Sequence, residues 1–167
     1  GYALSFVNCT GYPYVQFCNI ANNTTGIRFD NSNGYCVGNT VENNTTGIEI
    51  NNYATPVFGL SPYSSFACGG ASNNKIRSNG VGVYCGTGVS PTIGSATNPY
   101  FYGNCLYTNT TYNLHLDASG TVYASNIYWG PTQGDKIFNE GGTLNCTSYC
   151  TSAPTRKTAE KSPEIAE

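Results

Sequence analysis

Charge is what this chain has least of. Of its 167 residues only 10 % are charged, Lys and Arg together number 7, and the net charge is -2. Lys and Arg are scattered, and the only charge-rich run is C-terminal, so no basic patch can neutralise a phosphate backbone and nucleic acid is excluded as a partner. Methionine is absent, His115 is the single histidine, and no Cys-x-x-Cys occurs. A zinc site is therefore not expected, and neither is any other metal or a cofactor. No apolar run approaches the ~20 residues needed to cross a bilayer, so no membrane insertion is expected. No export segment is present either, and any such signal lies outside these residues.

What remains is rich in Asn, Thr, Gly and Tyr. β-branched and aromatic side chains suit strands, and Asn and Gly suit bends. A chain of low charge is sometimes disordered, but 13 % aromatics and a regular apolar pattern argue against that. Eight cysteines, an even number, fit disulfides in an oxidising compartment; the other reading makes several of them small buried apolar residues. Cys146 and Cys150 are near enough to pair across a tight loop, and Cys68 with Cys85 is a second candidate pair.

The organising stretch is Asn22-Asn23-Thr24-Thr25-Gly26-Ile27-Arg28-Phe29, which returns 21 residues later as Asn43-Asn44-Thr45-Thr46-Gly47-Ile48-Glu49-Ile50. Repeats of this period point to a solenoid. Two degraded copies follow. One is Ser72-Asn73-Asn74-Lys75-Ile76-Arg77-Ser78-Asn79, leading into Val81-Gly82-Val83-Tyr84-Cys85. The other is Tyr102-Gly103-Asn104-Cys105-Leu106-Tyr107-Thr108-Asn109, leading into Asn113-Leu114-His115-Leu116. Alternation places Ile20, Val41, Ile76 and Leu106 on one interior face. Ile27 with Phe29, Ile48 with Ile50, Val83 with Cys85 and Leu114 with Leu116 fall on another. Asn23, Asn44, Asn79 and Asn109 are candidates for a stacked ladder, because Asn tolerates the left-handed backbone of a sharp bend and its amide can bond the next coil. Gly26, Gly47 and Gly82 follow the bend, where a Cβ would crowd it.

Two stretches break the period, Asn52 to Gly70 and Gly86 to Pro99, at the same corner of the coil. Insertions gathered on one corner often form a binding face; the alternative is a tolerated surface loop. Residues 1–152 read as the repeat domain and 153–167 as a linker or the start of a following segment, so the chain is expected to belong to a longer polypeptide. The fold class expected is all-β: a right-handed parallel β-helix, a solenoid of about five to six coils with two loop insertions.

The Asn-Asn-Thr-Thr-Gly-Ile coils, followed by Asn126-Ile127-Tyr128-Trp129-Gly130, resemble secreted right-handed parallel β-helix repeat proteins of the pectin-lyase-like fold group. The resemblance spans roughly Gly1 to Pro154 and implies fold more than function, because that fold hosts lyases, hydrolases, adhesins, tail fibres and scaffolds. It implies an extracellular or cell-surface location. An enzyme of this group would use an acidic calcium cluster with an Arg or Lys base, or two or three Asp residues about one water apart. This chain has no Asp-Asp pair, no Gly-His-Gly and no Arg-x-Lys.

One face still collects polar groups. The outward position of the Gly-Ile strand reads Ser5, Arg28, Glu49, Tyr84 and His115, and two residues further on it reads Val7, Asp30, Asn51, Gly86 and Asp117. Arg28, Asp30, Glu49, Tyr84, His115 and Asp117 are therefore the candidate binding residues, with Tyr53 and Tyr63 of the first insertion beside them; no catalytic residue is assigned. Arg28 with Glu49, one coil apart, also reads as a surface ion pair, as does Glu42 with Arg77. Among the Asn-x-Thr sequons, Asn8 and Asn145 lie outside the ladder and are the best placed to carry a glycan. Three functions stay open. They are a non-catalytic scaffold or adhesin-like module binding a carbohydrate or another surface protein, a polysaccharide lyase or glycoside hydrolase, and a self-associating structural unit.

Overall fold

The computed structural model of the chain describes residues 1–59, 73–94, 104–117, 119–125, 127–129 and 136–146. Tyr63, Cys68, Cys150 and the segment 153–167 lie outside the described residues. Among those described there are strands and no helix, gathered into three parallel sheets. The first sheet stacks β1 (Tyr2–Val7), β4 (Thr25–Asp30), β7 (Thr46–Asn51), β10 (Val81–Cys85), β13 (Tyr112–Leu116) and β15 (Ile137–Asn139). The second stacks β2 (Tyr14–Gln16), β5 (Tyr35–Val37), β8 (Val57–Phe58), β11 (Thr92–Gly94), β14 (Thr121–Ala124) and β16 (Thr143–Asn145). The third stacks β3 (Asn19–Ala21), β6 (Thr40–Glu42), β9 (Lys75–Arg77) and β12 (Cys105–Tyr107). From β1 to β14 the chain visits the sheets in strict rotation, an arrangement consistent with a parallel β-helix or solenoid.

Period-two alternation explains which side chains are inside. Ile20, Val41, Ile76 and Leu106 are paired in register on successive strands of the third sheet, and all four are buried. In the first sheet Ile27, Ile48, Val83, Leu114 and Ile137 form one buried column and Phe29, Ile50, Cys85 and Leu116 a second. Burying each Ile, Leu or Phe contributes about 1.5–3 kcal/mol, and adjacent strands share that surface, so each coil is stabilised by the next.

The corner before the first sheet is an amide ladder. Asn23 Nδ2 donates to Asn44 Oδ1 (3.2 Å), Asn44 Nδ2 to Asn79 Oδ1 (3.0 Å) and Asn79 Nδ2 to Asn109 Oδ1 (3.1 Å). Each receiving oxygen also accepts the backbone N–H of the donor residue. Asn109 Nδ2 passes on to Asn113 Oδ1 (2.8 Å), so Asn113 terminates the row from the place where earlier strands carry Gly26, Gly47 and Gly82. The corner before the third sheet carries a second ladder. Asn39 Nδ2 donates to Asn74 Oδ1 (3.0 Å), and Asn74 Nδ2 to Asn104 Oδ1 (2.9 Å). Cys18 takes the first place in that row, where only its backbone N–H reaches Asn39 Oδ1 (3.1 Å).

The left-handed backbone at the first ladder is not on the ladder asparagines. It falls one residue earlier, on Asn22, Asn43, Ser78 and Thr108, with φ of 64°, 55°, 55° and 53°. The physical reason is a division of roles: one residue makes the bend, and the next, turned inward by it, stacks its amide. At the other corner Phe17 holds φ 53°, where the following coil has Gly38 at φ 64°. Phe17 is largely exposed, so its ring gains little there to offset the strain of a bulky left-handed residue. Phe17→Asn is expected to raise the unfolding free energy by about 0.5–1 kcal/mol, read as a higher urea midpoint at unchanged slope.

The two interruptions are shorter than their sequence suggests. Val57 pairs with Tyr35 and Thr92, and Phe58 with Cys36, so β8 and β11 continue the second sheet from within the stretches read as loops. Phe58 and Ile93 are fully buried. Within the described residues both stretches therefore follow the coil, as far as Gly59 and from Thr92 to Gly94.

Cys36 sits between Val15 and Phe58 in the second sheet, and Cys85 beside Ile50 and Leu116 in the first; both are free and fully buried. Burial, aided by Cys18 for Cys36 and by Asp117 for Cys85, holds both thiols well above the ordinary range, as for inert packing residues. Cys85 therefore does not pair with Cys68: its side chain points into the core column. Cys9 and Cys18 are free as well, whereas Cys105 and Cys146 are not among the free thiols.

Candidate functional site

The outer face of the first sheet holds the candidate residues in register. Ser5 pairs with Arg28, Arg28 with Glu49, Glu49 with Tyr84, Tyr84 with His115 and His115 with Phe138. The neighbouring row contains Val7, Asp30 and Asn51, then Gly86, whose N–H bonds Ile50 O, then Asp117, whose N–H bonds Cys85 O, then Glu140, whose N–H bonds Leu116 O. Parallel strands about 4.8 Å apart make these rows continuous.

Two separate clusters divide this face. In the first, Arg28 forms an ion pair with Asp30, lies 3.7 Å from Glu49, and stacks its guanidinium 5.1 Å from the Tyr2 ring centre. Glu49 accepts from Asn51 Nδ2 (2.6 Å) and Thr25 Oγ1 (3.3 Å), and Asp30 from Asn52 Nδ2 (2.7 Å). The carboxylates of this cluster are thus engaged by neighbours in a partly buried network. Arg77 and Glu42 make the equivalent pair on the third sheet, at 2.9 Å.

The second cluster centres on His115. Its Nε2 lies 3.0 Å from Glu140 Oε1 and 3.6 Å from Asp117 Oδ1. Tyr84 Oη donates to the other Asp117 oxygen (2.9 Å), and burial, Asp117, Glu140 and Glu49 together push the phenol up to about 12, so it remains a donor at neutral pH. Tyr84, Tyr112 and Phe138 make T-shaped contacts with His115 at centre distances of 5.1, 5.6 and 5.0 Å. The imidazole is thereby held between rings with one nitrogen directed at two carboxylates.

The structure brings Tyr84, His115 and Asp117 together; Glu49 is the register neighbour of Tyr84 but bonds within the first cluster, with Arg28 and Asp30. Asp30 and Asp117 are three strand spacings apart, roughly 14 Å, too far to flank a single water. Tyr53 is 73 % exposed, with its ring against Gly88 at the sheet's rim. Glu140, Phe138 and Tyr112 belong to the site without having been singled out in the sequence. The signal was there: Ile137-Phe138-Asn139-Glu140 follows Leu114-His115-Leu116-Asp117 by 23 residues, with an acid in the same place. Asn8 is exposed, as is Asn145, whereas the sequons at Asn44 and Asn109 are buried in the ladder.

Compared with known proteins, the chain matches no family model, no curated protein and no solved structure.

Proposed function

We propose that this chain is a non-catalytic binding module. It is read as a right-handed parallel β-helix of about five to six coils, secreted or displayed at a cell surface, that meets a carbohydrate on the outer face of its first sheet. The observation that carries this reading is the run of rings on that face: Tyr84, Tyr112 and Phe138 make T-shaped contacts with His115, Tyr112 stacks on Phe138, and Asp117 and Glu140 stand beside them as hydrogen-bond acceptors. Rings and fixed acceptors are what a sugar needs, one for its apolar face and the other for its hydroxyls. Stacked coils hold these groups on a rigid frame, so little ordering is required on binding.

A glycan array probed with the intact chain tests the reading. The expected result is a selective signal, weakened about tenfold or more by Phe138→Ala, which corresponds to 1.4 kcal/mol. A blank array, with a surface protein captured through the same face, would replace the sugar by a protein partner.

The enzymatic alternative is favoured by one distance. Ligand atoms of His115, Asp117 and Glu140 lie within 4.8 Å of one another, so the two carboxylates approach the ~5 Å separation of retaining glycosidases. Reducing-sugar release by the chain, abolished in Asp117→Asn, would overturn the non-catalytic reading. Self-association is favoured by the concentration of exposed large apolar side chains in and around the first two strands: Tyr2, Val7, Tyr12, Tyr14 and Phe17. Sedimentation against concentration distinguishes it.

A further inference from the structure

We propose that His115, Asp117 and Glu140 bind a divalent transition-metal ion of the zinc class, with His115 Nε2 and one oxygen from each carboxylate as ligands. This goes beyond the binding reading above and does not depend on it.

The first argument is geometric. Two ligand atoms bound about 2.1 Å from a tetrahedral ion lie about 3.4 Å apart. The two nitrogen-to-carboxylate distances here are 3.0 and 3.6 Å, one on each side of that edge, and all three ligand atoms fall within 4.8 Å of one another. An ion enters by small rotations of the Asp117 and Glu140 side chains, without backbone movement.

The second argument is electrostatic. The register places Asp117 and Glu140 in the same outward row of adjacent strands. Like charges directly opposite each other across a sheet are destabilising. A cation between them removes that repulsion. The Arg28 guanidinium, which serves the carboxylates of the first cluster, is on β4, and no Lys or Arg among the described residues pairs with Asp117 or Glu140.

The third argument is support around the ligands. Metal-binding side chains are held by a surrounding layer of contacts. Tyr84 Oη fixes the far oxygen of Asp117 at 2.9 Å, leaving Oδ1 turned to His115. Three T-shaped ring contacts hold the imidazole. Glu140 is about half exposed, so solvent reaches the fourth position. One imidazole with two carboxylates selects zinc-class ions over calcium or magnesium, which prefer oxygen alone.

The test is titration of the intact chain with zinc chloride by calorimetry, together with cobalt(II) substitution followed in the visible spectrum. His115 is the only histidine, so its ring ¹⁵N resonances form an unambiguous third readout. The expected result is one equivalent of metal bound, cobalt bands of tetrahedral intensity, and a large shift of the His115 Nε2 resonance. His115→Ala should abolish the calorimetric and cobalt signals, Glu140→Gln should weaken affinity at least tenfold, and Tyr84→Phe about tenfold through Asp117. Both His115 and Glu140 lie on the outer face, and a thermal melt confirms that each variant is folded. Absence of stoichiometric binding, binding that survives His115→Ala, or displacement of zinc by equimolar calcium would each overturn the proposal. The cluster would then be a hydrogen-bonded group of one imidazole and two carboxylates.

Discussion

Asn79→Ala is expected to lower the unfolding free energy by about 3–5 kcal/mol, a large part of the stability of an ordinary domain. Asn79 is fully buried at the middle of the first ladder. Its Oδ1 accepts both the backbone N–H and the Nδ2 of Asn44, each at 3.0 Å, and its own Nδ2 donates to Val41 O at 3.0 Å and Asn109 Oδ1 at 3.1 Å. Alanine leaves the buried Asn44 N–H without an acceptor and Val41 O without this donor. Each such orphan costs about 1–3 kcal/mol, because no water replaces the lost partner in a packed corner. Asn23 provides the comparison. It stands at the end of the row, is only partly buried, and donates from Nδ2 to Ala21 O and Asn44 Oδ1. Asn23→Ala should cost about 1 kcal/mol, since water reaches the groups it leaves. Urea unfolding of the two variants measures the gradient. Equal losses at Asn23 and Asn79 would show that position along the ladder carries no weight.

The parts of this architecture legible in the sequence are those written by local rules. Asn-Asn-Thr-Thr-Gly-Ile marks equivalent places on two strands, and period-two alternation then assigns Ile20, Val41, Ile76 and Leu106 to one face without knowledge of the partner strands. The outward row from Ser5 to His115 follows from the same register. β8 and β11 were hidden because each is a strand of two or three residues inside a long, Pro-containing stretch, too short to show a period of its own. The second ladder was hidden by Cys18. Asn39, Asn74 and Asn104 each precede a first-ladder asparagine by five residues, but Cys18 breaks the pattern in the first copy. Glu140 was missed for a related reason: β15 has no preceding Asn bend of the repeat type among the described residues, so nothing in its sequence announces that it stacks on β13. The electrostatic pairing of Asp117 with Glu140 is a property of adjacent strands, and it becomes visible only when the register is known.

Gly47→Ala is expected to cost about 3 kcal/mol, the upper end of what overpacking does to a well-packed interior. The requirement for glycine here is one of space. A Cβ on Gly47 would lie 2.6 Å from Gly82 O and 2.9 Å from Asn79 Nδ2. The same construction places a Cβ of Gly26 2.6 Å from Gly47 O, and one of Gly82 2.6 Å from Asn113 O. In each case the obstacle is a backbone carbonyl of the next strand, locked in a parallel ladder, which cannot rotate away as a side chain can. Relief must come from separating the strands or from displacing the Asn79 amide, so the substitution weakens two interactions at once. Gly11→Ala is the control, since nothing lies within 4 Å of its added Cβ and its backbone is not left-handed. It should be neutral or stabilising by about 0.5 kcal/mol through the unfolded chain. Asn113 shows why the rule ends where it does. At the last place in the row its side chain takes the position of the next ladder amide and accepts from Asn109 Nδ2 at 2.8 Å. Asn113→Gly should therefore destabilise by about 1–2 kcal/mol, although it restores the residue found at the three earlier places. Melts of the three variants give opposite signs for glycine along one column: required at 47, dispensable at 11 outside it, and harmful at 113. If Gly47→Ala changes stability by less than about 0.5 kcal/mol, the carbonyl contact is not what keeps glycine at these positions.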